Sequence, residues 1–88
     1  MTKKLKSYQG YRSYPSFLTA VYLNNDYSAY MTAVNIIKAS ESYYHALKAL
    51  CHQFEGDYTP YDNNLIRRIH LAEWLEANWT EYHNADNK

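Results

Sequence analysis

The chain has 88 residues and a formal net charge of zero. This length allows one domain, and the balanced charge lacks the overall basic excess typical of nucleic-acid or membrane-surface binding. No run of residues approaches the ~18 apolar positions of a membrane span, and the basic N-terminus is not followed by the apolar stretch of a secretory signal. The single cysteine, Cys51, excludes an internal disulfide. A reducing, cytoplasmic environment is therefore expected.

The distribution of charge along the chain and the number of tyrosines both bear on the surface of the folded protein. Residues 1–48 carry six basic and two acidic side chains, whereas residues 49–88 carry three basic and seven acidic ones. Either the folded surface is bipolar, or the two halves interleave and their charges cancel. Eleven residues are tyrosines, which combine a large apolar ring with a hydrogen-bonding tip and are enriched in interfaces.

The pattern of the chain predicts an all-α fold, a compact bundle of about four short helices. Residues 1–12 are expected to form a flexible basic N-terminal arm, residues 13–83 a single helical domain, and residues 84–88 a frayed tail. No segment alternates convincingly between apolar and polar residues, as a half-buried strand would.

The first two helices are predicted over 15–23 and 27–38. Pro15 suits a first helical turn, and Ser13 or Ser16 can cap it. Asp26 can cap the second helix. The apolar residues of that helix recur with helical spacing: Tyr27, Tyr30, Met31, Val34 and Ile37.

The last two helices are predicted over 42–54 and 63–82. Gly56 suits the end of the third helix, although no Gly or Pro separates it from the second, so one long helix remains possible. Asp62 is the expected cap of the last helix. The apolar stripe of that helix comprises Leu65, Ile69, Ala72, Leu75, Trp79 and Tyr82. Ile66, Leu71 and Trp74 widen the stripe, so this helix is expected to contact neighbours on two sides. The predicted core comprises Phe17, Val21, Met31, Val34, Leu47, Leu50, Phe54, Leu65, Ile69, Leu75 and Trp79.

Catalytic, metal and cofactor sites are not indicated. His45 and His52 lie seven residues apart without the three or four closely spaced ligands of a zinc site. Cys51 falls on the apolar stripe of the third helix, which favours a core position over a reactive thiolate. Glu73 and Glu76 fit a solvated helix face. We therefore expect a non-enzymatic protein without a cofactor.

Two surfaces are candidates for binding. Tyrosines outside the predicted core stripes are expected to be partly exposed, and some lie among acidic residues that could face a basic groove. The alternative is that these rings fold back over the helix ends. The candidate protein-interaction residues are Tyr58, Tyr61, Tyr44, Glu55, Asp57 and Asp62. The arm mixes basic and aromatic residues, which can contact phosphates and bases. The candidate nucleic-acid residues are Lys3, Lys4, Lys6, Tyr8, Tyr11 and Arg12.

The stretch Tyr8 to Phe17, with its Tyr-x-Gly-Tyr opening, is followed by Ala20 to Asp26 and Tyr30. Together with Thr59-Pro60 and Leu71 to Leu75, this order resembles a family of short phage- and plasmid-encoded accessory proteins over most of residues 8–80. The chain departs from the family pattern at Phe17, where the family has Trp, and at Pro15.

The resemblance implies a mobile-element accessory protein, and the family has no established activity from which functional residues could be transferred. By analogy of gene context, such a protein binds and inhibits a host protein or ribonucleoprotein complex, as anti-CRISPR and anti-restriction inhibitors do. The alternative is a small nucleic-acid-binding or regulatory module that uses the arm.

Overall fold

A computed structural model of the chain describes residues 10–85, with side chains as far as His83. The predictions for Lys3, Lys4, Lys6 and Tyr8 of the arm, and for most of the tail, lie outside these residues. Four helices make up the fold: α1 (Tyr14–Asn25), α2 (Tyr27–Ala39), α3 (Tyr43–Phe54) and α4 (Arg68–Ala85). The predicted all-α class and the number of helices are confirmed. None of the described helices is long and apolar enough to cross a membrane.

Side-chain caps separate the first three helices. Ser13 accepts a hydrogen bond from the backbone N–H of Ser16 at the start of α1, and Ser42 does the same for His45 at the start of α3. Asp26 ends α1 in an extended conformation and caps α2 through the N–H of Ala29. Each cap satisfies an N–H group that the first helical turn leaves without a partner. Helices α2 and α3 are therefore separate.

Residues 57–66, predicted in part as helix, instead form a small hairpin before α4. The Thr59 N–H donates to the Asn64 carbonyl at 2.8 Å, and the Ile66 N–H donates to the Asp57 carbonyl at 2.9 Å. Asp62 and Asn63 have φ values of 55° and 52°, the pattern of a type I′ turn, which Asp and Asn tolerate better than most residues. The prediction that Asp62 caps the last helix is thus wrong, because Asp62 lies at this turn.

The buried face of α4 is centred on the residues predicted to widen its stripe, and Ile69 of the stripe itself is exposed. Leu71, Trp74 and Leu75 are fully buried, and Ile69 is 61% exposed. Ile69 lies two residues before Leu71, which is about 200° around a helix and so on its opposite face. The indole N–H of Trp74 donates to Asn24 Oδ1 at 3.1 Å, so its burial leaves no polar atom without a partner.

The rest of the predicted core is partly confirmed. Five of the predicted positions are buried: Val34, Leu47, Leu50, Phe54 and Leu75. Five others are only partly buried: Phe17, Val21, Met31, Leu65 and Trp79. The core also contains several small residues that the pattern did not single out, among them Ala33 and Ala46. Small side chains at these positions let neighbouring helices approach closely.

Helices α2 and α4 lie between the other two. α1 packs against α2 and α4, and α3 packs against the same two helices from the other side. The edge of one aromatic ring meets the face of another between Tyr22 and Phe54, whose centroids are 6.4 Å apart, and this contact links the ends of α1 and α3. The outer surfaces of α1 and α3 therefore face in different directions.

Candidate interaction site

The 57–66 hairpin is fixed to the start of α1 by Asn64. The Asn64 side-chain amide donates to the Pro15 carbonyl at 3.1 Å and to Thr19 Oγ1 at 3.2 Å. The Thr19 hydroxyl in turn donates to the same carbonyl at 3.0 Å. Asn64 is adjacent to the turn, so these bonds hold the turn in one position on the helix.

A second polar side chain orders the hairpin from within. Thr59 is buried, its hydroxyl donates to the Tyr61 carbonyl, and its oxygen accepts from the Tyr61 N–H. These short-range bonds order the chain between Thr59 and Tyr61, beside the bridge that pairs Tyr58 with Leu65. The tyrosines of the hairpin are therefore presented on an ordered backbone.

Several rings of this region are exposed, as predicted. Tyr58 is 58% and Tyr61 37% exposed, and Tyr14 is exposed as well. Tyr44, on α3, is also exposed. The Tyr14 hydroxyl donates to Asp62 Oδ2 at 2.7 Å. This bond brings the first ring of α1 to the turn, so Tyr14 lies with the two tyrosines of the hairpin.

Carboxylates surround these rings. Asp57 and Asp62 are exposed on the hairpin, and Asp26 is exposed at the junction of α1 and α2. Burial raises the pKa of the Tyr22 phenol, and the charges of Asp26 and then Asp57 raise it further. Both carboxylates therefore lie close enough to Tyr22 to act on the same hydroxyl.

We refer to this surface as the acidic tyrosine face, comprising Tyr14, Tyr22, Asp26, Asp57, Tyr58, Tyr61 and Asp62. Tyr27, next to Asp26 in the chain, was predicted on the apolar stripe of α2, and that prediction is wrong, because its side chain is 77% exposed. Tyr27 is the first residue of α2, where the ring projects beyond the bundle. Its position directly after the capping Asp26 is the sequence signal that could have indicated this exposure.

Two of the predicted interaction residues lie apart from the acidic tyrosine face. Tyr44 is near the start of α3, ten residues before Phe54 and so about 15 Å from the hairpin end of that helix; its ring contacts His45. Burial raises the pKa of the Cys51 thiol, Glu55 raises it further, and Arg68 lowers it. Glu55 and Arg68 therefore lie close together near Cys51 and offset each other's charge.

The described part of the basic arm packs against α4. Tyr11 is half-buried against the core, and the backbone N–H of Arg12 donates to Glu73 Oε2 at 2.8 Å. Burial and the negative charge of Glu73 raise the pKa of Tyr11. These two candidate nucleic-acid residues thus lie beside a carboxylate, which opposes a phosphate at the same place.

Within residues 10–85, no group of three His, Cys, Asp or Glu side chains is arranged to hold a metal ion. Cys51 is buried on the inner side of α3, and the raised pKa of its thiol opposes formation of the reactive thiolate.

Comparison of the chain with protein-family models, with curated proteins and with solved structures finds no match. The protein is therefore described by its own fold, which is an all-α domain of four helices with an exposed acidic and aromatic hairpin. The resemblance to phage- and plasmid-encoded accessory proteins stays a prediction.

Proposed function

We propose that this chain is a non-enzymatic interaction protein that binds a basic protein surface through its acidic tyrosine face. The observation that carries the proposal is the 57–66 hairpin, which presents Tyr58 and Tyr61 among exposed carboxylates. Tyrosine is one of the residues that contribute most to binding energy at interfaces. Carboxylates around the rings favour a partner of opposite charge and speed its approach.

The fixed backbone of the hairpin supports the same proposal. Ordering a loop on binding costs free energy, and a loop already ordered in the free protein avoids that cost. Here Asn64 ties the turn to α1, and Thr59 orders the chain beside Tyr61. The rings can therefore bind a partner with little rearrangement of the backbone.

The narrower proposal concerns the partner. A basic protein groove that normally holds nucleic acid is complementary to a surface of this charge, and occupation of the groove would exclude the nucleic acid. Together with the resemblance to mobile-element accessory proteins, this supports an inhibitor of a host defence complex of the CRISPR or restriction type, acting in the host cytoplasm. The mechanism would be occlusion of the groove.

The test is a quantitative pull-down from nuclease-treated bacterial host lysate. The bait is the wild-type chain or the double variant with Tyr58→Ala and Tyr61→Ala, and the control bait carries Tyr44→Ala, an exposed ring outside the face. We expect a nucleic-acid-binding complex to be captured by the wild type and by the control and lost with the double variant. The purified complex should then bind its nucleic acid less tightly in the presence of the wild-type chain.

The melting temperature of each bait separates binding from folding. A double variant that folds with an unchanged melting temperature and still captures the same complex would contradict the assignment of the face. Captured proteins that retain full nucleic-acid binding in the presence of the chain would contradict the occlusion mechanism.

A further inference from the structure

A groove runs along the outside of the bundle between α2 and α3. Its apolar floor is formed by Ile36 and Ala49, and its volume is about 450 Å³. His45, Lys48 and His52 line it from α3. These three positions fall at i, i+3 and i+7, so they share one side of the helix. We refer to this surface as the α2–α3 groove.

The α2–α3 groove and the acidic tyrosine face are formed by different residues. Asn64 fixes the hairpin to the start of α1, whereas the groove is lined from α2 and α3, and no residue of the hairpin lines it. The hairpin of a chain therefore leaves that chain's own groove open. Between the two surfaces the charges are opposite: Lys48 lines the groove, and Asp57 and Asp62 lie on the hairpin.

We propose that the α2–α3 groove binds the acidic tyrosine face of a second copy of the chain. The inference rests on the face assigned under the proposed function. Tyr58 or Tyr61 would lie on the apolar floor of the groove, while Lys48 pairs with a carboxylate of the hairpin and the imidazoles add hydrogen-bonding edges. Because the two contacting surfaces differ, the contact is heterologous and can add further copies head to tail.

A second copy is the occupant that the charges favour. Each chain carries both the anionic ring-bearing surface and the apolar groove lined by Lys48, and within one chain the hairpin does not line the groove. The contact is small, which is typical of weak and reversible association. Self-association covers the rings that would bind the host partner, so partner binding and self-association compete for the same face.

Sedimentation velocity on the full chain, from ~10 µM to ~1 mM, covers the range of weak contacts. We expect the weight-average mass of the wild type to rise with concentration and the rise to disappear at high salt. Lys48→Glu and Asp57→Lys should each abolish the rise. Glu81→Lys, which makes the same change in charge on an exposed part of α4, should leave it intact.

Mixing the two disabled variants gives the decisive result. Lys48→Glu keeps an intact hairpin and Asp57→Lys keeps an intact groove, and the two reversed charges also complement each other, so their mixture should regain concentration-dependent association although each variant alone stays monomeric. The double variant carrying both changes reverses both charges and should regain concentration-dependent association. A wild type that remains monomeric throughout, or association that persists in both single variants, would overturn the inference.

Partner capture keeps this test separate from that of the proposed function. Lys48→Glu should still capture the host complex, because its acidic tyrosine face is intact. If the wild type is monomeric and still captures the complex through Tyr58 and Tyr61, the self-association proposal is contradicted and the proposed function stands. If Asp57→Lys loses self-association but the Tyr58→Ala and Tyr61→Ala double variant captures the complex fully, the proposed function is contradicted and the self-association proposal stands.

Discussion

His70 is a buried imidazole at the junction between the hairpin and α4. Its Nδ1 accepts a hydrogen bond from the backbone N–H of Arg67 at 3.2 Å, which satisfies a donor at the start of the helix in the manner of a capping side chain. Burial lowers the pKa of His70 below its ordinary value of 6.5, the Arg67 charge lowers it further, and Glu73 opposes the shift. Protonation at Nδ1 would remove this acceptor.

We expect acid to destabilise the fold through this imidazole. Because the native state favours neutral His70 more strongly than the unfolded chain does, its contribution is fully present above pH 6.5 and decreases as the pH falls through the lowered native pKa. The measurement is the urea midpoint between pH 7.5 and 5, compared with His70→Gln. The variant should lose less stability over this range than the wild type, and parallel curves would contradict the assignment.

Leu50 and Ile69 were both predicted in the core, but only Leu50 is buried there. Leu50 is fully buried, whereas Ile69 is mostly exposed. We expect Leu50→Ala to lower the free energy of unfolding by about 2–5 kcal/mol, the usual cost of a core cavity. Ile69→Ala, which also shortens an aliphatic side chain, should change it by less than about 0.5 kcal/mol. Chemical denaturation of both variants measures the two changes in the free energy of unfolding. Similar losses of stability in the two variants would contradict the placement of Ile69 on the exposed side of α4.

At the scale of elements, the hairpin depends on its attachment to α1. Removing the Asn64 amide takes away both bonds to α1, and we expect Asn64→Ala to cost about 1–3 kcal/mol, since the part-buried Pro15 carbonyl and the buried Thr19 hydroxyl each lose a donor. Hydrogen exchange should become faster at the Thr59 and Ile66 amides, which donate within the hairpin.

Asn35, exposed on α2, provides the matched control as Asn35→Ala. Exchange at Thr59 and Ile66 in this control should equal that of the wild type. If Asn64→Ala left exchange in the hairpin unchanged, the order of the hairpin would have to come from its own turn.

The N-terminal arm carries the alternative function. If it binds nucleic acid, affinity must fall steeply with salt, and deletion of residues 2–6 must abolish binding without unfolding the domain. We expect no tight complex at physiological salt, because Tyr11 and Arg12 lie beside Glu73. Fluorescence anisotropy with labelled DNA and RNA tests this. A submicromolar, salt-sensitive complex would make nucleic-acid binding the leading function.

At the scale of the whole molecule, the balanced net charge conceals an uneven surface. The hairpin brings Asp57 and Asp62 onto α1, and Asp26 lies close by, whereas Lys48 lines the α2–α3 groove. Glu55 and Arg68, in contrast, lie together near Cys51 and offset each other. Lys48 on one side and Asp57 and Asp62 on the other provide the opposite charges that head-to-tail association requires.

Local signals determined α1, α2 and α3. Helical spacing of apolar residues sets their length, and Ser13, Asp26 and Ser42 cap them with their own side chains, interactions that span only three residues. Exposure of Tyr58 and Tyr61 also followed from the sequence, because these rings fall between apolar stripes. The tertiary structure decided what depends on distant residues. The hairpin takes up residues 63–66, so α4 begins at Arg68, and the fold leaves Ile69 exposed while it buries Leu71 and Trp74. The fold also brings Tyr14 and Asp62, which are 48 positions apart in the chain, into contact on one surface. No local sequence pattern predicts such a contact.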